Sequence, residues 1–229
     1  MEKYLSDLGQ YLLVMLFCDE NFGSSHDPSH DEGHVLRVLN MARKIGETEL
    51  ADLEVLIPAA IFHDAVVFTK NDPRSKEATS ESAAYAKKIL EKKSTYPKNK
   101  IPRVVSCILE CSYSKGLSPS SLESKILQDA DRLEATGAIS LMRTFSSGGQ
   151  MNTPFYNPHD PFCETGANPN HCSHGLDLLY QRLYKVCDGM HTKTAKIIAE
   201  RRHKFLKEFE LELKIELCET AVWPAAKEV

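Results

Sequence analysis

His34, the adjacent pair His63-Asp64, and Asp129 make an H…HD…D pattern spread over three segments of helical character in this 229-residue chain. Two imidazoles and two carboxylates form the donor set of one hard-to-borderline divalent cation, with water in its remaining positions. A cation so held brings a phosphate oxygen and a water together and lowers the pKa of that water, so the implied chemistry is hydrolysis. Each signal is weak alone and gains from its setting. The run Val55 to Phe62 is apolar throughout, and ending a buried helix in two unpaired ionisable groups would cost several kcal/mol. A cation or a dense hydrogen-bond network is expected there. His34 flanks the stripe of Val35, Val38, Ala42 and Ile45, where a lone histidine is more often a core residue bonded to a backbone carbonyl. Asp129 shares a stripe with Ile126, Ala130 and Leu133, which a solvated face does not explain. Asp131 falls on another part of that helix surface. It is read as orienting Arg132, Lys70 or a ligand histidine, and as a candidate general base.

Four blocks of the chain, in order, resemble the HD-domain metal-dependent phosphohydrolases, in particular the small single-domain branch that includes bacterial nucleoside triphosphate pyrophosphohydrolases. They are the stretch from Ser29 to Val38, then Ala59 to Val66 with Lys70, Arg74 and Thr79 beyond it, then Leu127 to Ala138, and finally Met190 to Ala195 with Ala199 to Arg202. The resemblance implies an all-α helical bundle and one divalent ion (Mn, Mg, Ni, Co, Fe or Zn) on His34, His63, Asp64 and Asp129. It implies a catalytic role for Asp64, Lys70 and Asp131, and phosphate contacts from Lys70, Arg74, Arg182 and Lys193. Two departures limit the transfer. Val67 stands where some mononucleotidases of the superfamily carry a glutamate, so their acid or base does not carry over. The stretch Asp177 to Leu183 lacks a histidine of the family's late motif and has Arg182 where lysine is usual. The implied activity is cleavage of a nucleoside triphosphate to monophosphate and pyrophosphate. A phosphatase acting on monophosphates or other phosphomonoesters, and a nonenzymatic nucleotide-binding or metal-sensing module, remain open.

Composition is consistent with this and excludes other classes. With 42% hydrophobic residues and no compositional break, one domain over 1–229 is the default, its core about 29–217. A net charge of -4, with charges interspersed, gives no attraction to duplex nucleic acid. Seven cysteines without a CxxC pair suit free thiols in a reducing compartment. Without a basic signal-like start or an apolar run of membrane-spanning length, the expected location is the cytoplasm, with no membrane partner. A homodimer is compatible with these features.

The elements that must position the four residues read as helices: about 2–18, 31–45, 53–63, 77–91, 102–110, 120–143, 176–187 and 192–217. The segment 146–174, with Gly148, Gly149 and several prolines, reads as a long loop, and the tail 220–229 as frayed. His159, His171, His174, Cys163 and Cys172 in that loop match no compact zinc spacing. His26 and His30 are read as supporting the site, and Asp27 or Asp31 as capping the helix of His34.

Overall fold

The computed structural model describes residues 2–19, 31–68, 72–112, 116–165 and 173–219. The described residues form nine α-helices and no strand: α1 (Glu2–Phe17), α2 (Glu32–Thr48), α3 (Leu53–Phe62), α4 (Ala78–Lys92), α5 (Ile101–Glu110), α6 (Leu122–Arg132), α7 (Ala138–Gln150), α8 (Asp177–Gln181) and α9 (Lys193–Glu219). The all-α class expected from sequence is therefore the observed one. Two compact units are present. One holds the described residues up to Glu134 together with His191–Ala195, and the other holds Ala135–Met190 with the described residues from Lys196 onward. No helix among the described residues is long and apolar enough to cross a membrane.

In the first unit the order follows from α3. Every residue from Val55 to Phe62 is buried, and a helix apolar on all sides can be satisfied only by surrounding it. Helices α1, α2, α4, α5 and α6 supply that cover. Burying side chains the size of Leu56, Ile61 and Phe62 contributes about 1.5–3 kcal/mol each. Side-chain caps fix where the helices begin. Asp31 accepts from the His34 N–H at 2.8 Å, Asp52 from the Glu54 N–H at 3.2 Å, and Ser121 from the Ser124 N–H at 3.0 Å. Asp31 thus fills the capping role expected of it, while Asp27, His26 and His30 lie outside the described residues.

Pro58 sits inside α3, where its ring removes the N–H that would have bonded the Glu54 carbonyl one turn back. The buried Tyr96 hydroxyl donates to that carbonyl at 2.8 Å, so the acceptor orphaned by the proline is satisfied from another segment.

The second unit packs Leu141, Leu176, Leu179, Leu183 and Leu206 with Phe145, Phe162 and Phe209 around them. Tyr180 and Tyr184 both donate to the Glu210 carboxylate, which Lys207 also reaches. The single helix expected over 120–143 is two helices. α6 ends at Arg132 in a 3₁₀ turn, and α7 starts after Gly137, whose φ of +84° is a left-handed conformation. A Cβ at Gly137 would also lie 3.0 Å from Arg202 Cβ, so both backbone and space require glycine. The loop expected from 146 begins later, because α7 continues through Gly148 and Gly149 to Gln150. The tail 220–229 lies outside the described residues.

Tyr96→Phe removes only the hydroxyl that answers Pro58. It should destabilise the protein by about 1–2 kcal/mol, the cost of one buried unsatisfied carbonyl. Thermal unfolding reads this as a fall in Tm of about 3–6 °C. An unchanged Tm would contradict the pairing of Pro58 with Tyr96.

Candidate metal centre

His34 lies in the first turn of α2, His63 and Asp64 directly follow α3, and Asp131 lies near the end of α6. All four belong to the first unit. The two Nε2 atoms stand 3.2 Å apart. Asp64 Oδ2 is 3.5 Å from His34 Nε2 and 3.7 Å from His63 Nε2, and Asp131 Oδ1 is 3.5 and 4.0 Å from the same two nitrogens. Both histidines are buried, whereas the Asp64 and Asp131 side chains are 26% and 35% exposed. The imidazoles therefore form the floor of the cluster and the carboxylates its open edge, from which a ligand approaches.

This arrangement fits a cation. Two nitrogens each about 2.1 Å from one ion, at angles between octahedral and tetrahedral, stand ~3.0–3.4 Å apart. The observed 3.2 Å falls inside that range. His34, His63 and Asp131 each offer a donor atom within 4.8 Å of the others, which among the described residues defines a group able to hold a metal. The ring orientations are set from behind. His63 Nδ1 lies 2.8 Å from the Ala60 carbonyl, which can only accept, so Nδ1 carries the proton and the Nε2 lone pair faces the cluster. His34 Nδ1 faces Glu134 Oε2 at 3.6 Å.

Electrostatics lead to the same conclusion. Burial alone would push His34 down, yet the carboxylates of Asp64, Glu134 and Asp131 that face its ring nitrogens carry its pKa up to about 9. Glu134 opposes burial in the same way, held below the ordinary glutamate range by His34 and Arg37. The cluster thus demands positive charge, and a proton on His34 meets that demand whenever no cation does.

Of the residues singled out in the sequence, His34, His63 and Asp64 converge and Asp129 does not join them. Asp129 is fully buried, and its oxygens are taken by the His191 N–H at 2.8 Å and by the Thr192 N–H and hydroxyl, both at 2.8 Å. It anchors the chain just ahead of α9. Asp131, expected to orient its neighbours and to be a candidate general base, occupies the position by the imidazoles. Arg74 is exposed, bonded to Asp72 at 3.1 and 2.7 Å and stacked over the Phe68 ring, so its charge is already matched. Arg182 is exposed in the second unit, and Lys193 begins α9 in the first. Lys70 lies outside the described residues, as do His171 and Cys172. In the second unit, Cys163 Sγ and His174 Nδ1 each lie 3.5 Å from the Asp177 carboxylate.

Glu134 and Arg37 were missed from the sequence. Arg37 Nε donates to Glu134 Oε2 at 2.7 Å, beside His34. The available signal was spacing: Arg37 follows His34, and Glu134 follows Asp131, by three residues, which places each pair on one helical face.

Comparison with known proteins gives the family. The sequence profile of the HD domain matches residues 32–136, the stretch that holds all four converging residues. The uncharacterized protein YpgQ of Bacillus subtilis is 31% identical over 189 residues, 81% of this chain and 83% of that one. The chain belongs to the HD-domain superfamily of hydrolases. Its fold matches the crystal structure of Bacillus subtilis YpgQ in complex with ADP with a TM-score of 0.68 at 26% identity, covering 93% of this chain and 96% of that one. An HD-superfamily hydrolase of Bacillus thuringiensis matches with a TM-score of 0.66 at 25% identity over 94% and 97% of the two chains. A predicted HD-superfamily hydrolase from an uncultured Thermotogales bacterium matches at 0.61 and 28% identity, over 91% and 92%.

The two aspartates of α6 separate experimentally. Asp131→Ala should abolish divalent-ion content while the fold persists, whereas Asp129→Ala should cost about 3 kcal/mol or more by orphaning three donors. Elemental analysis alongside thermal unfolding reads both, and equal metal content in Asp131→Ala and wild type would contradict the assignment.

A pH dependence follows from His34. Its proton competes with a cation for Nε2 below about 9, so binding releases one proton there. Calorimetric affinity for Mn²⁺ should rise roughly tenfold per pH unit from about 7 and level off above about 9. Affinity flat across that window would contradict a protonated His34 in the cation-free cluster.

Proposed function

We propose that this hydrolase cleaves a phosphoanhydride bond of a nucleoside triphosphate, giving the monophosphate and pyrophosphate, with one divalent cation held by His34, His63, Asp64 and Asp131. The observation that carries this reading is the 3.2 Å approach of the two buried Nε2 atoms beneath two part-exposed carboxylates. A cation there supplies Lewis acidity and lowers the pKa of water, the chemistry that in-line attack on phosphorus requires. The chain itself fixes the geometry. The Ala60 carbonyl holds the proton of His63 on Nδ1, and Asp31 caps the turn that carries His34. Asp64 and Asp131, at the open edge, lie where a water would be oriented and its proton accepted. Anionic phosphate would be repelled by this edge alone, so cationic groups have to join it. Lys70 and Lys193 are the proposed phosphate contacts, while Arg74 would have to leave Asp72 to serve.

A nucleotide substrate is supported by the ADP bound in the crystal structure of YpgQ. Preference for a triphosphate rests on charge, since a polyphosphate carries more negative charge than one divalent ion balances and rewards additional lysines and arginines.

The test is product analysis by phosphorus NMR after incubating the full-length protein, loaded in turn with Mn²⁺, Mg²⁺, Co²⁺, Ni²⁺, Fe²⁺ or Zn²⁺, with nucleoside mono-, di- and triphosphates. Pyrophosphate and monophosphate from triphosphates are expected, with turnover falling at least about 100-fold in Asp64→Ala. Inorganic phosphate from monophosphates alone would overturn the triphosphate assignment. Absence of hydrolysis with every metal would overturn the enzymatic one.

A further inference from the structure

Glu134 stands apart from the cluster yet touches it through His34. Its carboxylate is buried in the 3₁₀ turn that follows α6, with Oε2 3.6 Å from His34 Nδ1 and 2.7 Å from Arg37 Nε. Nδ1 is the ring nitrogen remote from the cluster, so Glu134 cannot reach an ion held at Nε2 and is no ligand to it. The room for the brace is made by Gly33. A Cβ there would lie 3.1 Å from Arg37 Nη1, so a side chain at 33 would crowd the guanidinium and shift it by a few tenths of an ångström. Helix α2 therefore supplies both a ligand and a brace, and so does the end of α6, through Asp131 and Glu134.

We propose that Glu134, locked by Arg37, is a positioning residue that holds the His34 proton on Nδ1 and so sets the cation affinity of the site. The proposal rests on the reading of the cluster as a cation site. A carboxylate at Nδ1 selects the tautomer whose Nε2 lone pair faces the cluster and makes that nitrogen a stronger donor. Arg37 fixes the carboxylate in place. A carboxamide of the same size does neither: its NH₂ facing Nδ1 would favour the opposite tautomer, with a proton on Nε2 where the cation should sit.

The experiment titrates full-length protein with Mn²⁺ at one fixed pH, following free ion by electron paramagnetic resonance, for wild type, Glu134→Gln, Glu134→Asp, Arg37→Gln and His63→Ala. Glu134→Gln should bind about 10–100-fold more weakly than wild type, with Arg37→Gln weakened about tenfold and Glu134→Asp recovering part of the loss. In the metal-free, ¹⁵N-labelled protein at a pH where His34 is neutral, its ring should carry the proton on Nδ1 in wild type and move it to Nε2 in Glu134→Gln. Binding within twofold of wild type in Glu134→Gln would overturn the proposal. Should that variant fail to fold, unchanged affinity in Arg37→Gln, whose side chain is partly exposed, would overturn it equally. Undiminished binding in His63→Ala, or none in wild type, would overturn the cation-site reading itself.

Discussion

The first unit depends on the burial of α3 on every side. A helix with no polar face to give to water has to be enclosed, and enclosing it fixes the places of α1, α2, α4, α5 and α6. The two residues that follow it, His63 and Asp64, emerge where that packing stops, and α2 and α6, already in contact with α3, deliver His34 and Asp131 to the same point. The arrangement sets two part-exposed carboxylates against two buried imidazoles, so the cluster favours a positive charge. A divalent ion meets the requirement when bound, and the proton that the neighbouring carboxylates keep on His34 meets it otherwise.

The pair of aspartates on α6 shows how a two-residue offset divides labour. Asp129 faces the interior and caps the chain at His191 and Thr192. Asp131 faces the opening and the imidazoles. The N-terminal end of α9 is fastened a second time by Glu49, which accepts from the Thr194 N–H at 2.9 Å and from its hydroxyl at 2.6 Å. Two carboxylates on backbone N–H groups thus hold Lys193 in the unit that carries the cluster, although 62 residues separate Asp129 from His191 in sequence.

Much of this was legible in the sequence. Apolar periodicity found the helices, and an apolar run ending in His63-Asp64 located the site, because both signals are local. The boundary at Gly137 was less visible, since what ends α6 there is a left-handed φ and a close approach to Arg202, a residue remote in sequence. Asp129 was correctly read as buried, but periodicity reports burial and says nothing of what the buried group meets. The partners of Asp129 are backbone donors from another segment, and no pattern along α6 encodes them. Glu134 and Arg37 passed unnoticed for a related reason: an ion pair on the surface of a helix looks like solvated charge until the facing helix is in place. The continuation of α7 through Gly148 and Gly149 overrode a local propensity worth about 1 kcal/mol per glycine.

The most direct test of the account is anomalous diffraction from crystals of the full-length protein soaked in Mn²⁺, with data collected at the manganese edge. The account predicts one strong peak bounded by His34 Nε2, His63 Nε2, Asp64 and Asp131, each about 2 Å away, with Asp129 still bonded to His191 and Thr192. A peak ligated by Asp129, or no peak within reach of the two imidazoles, would contradict it.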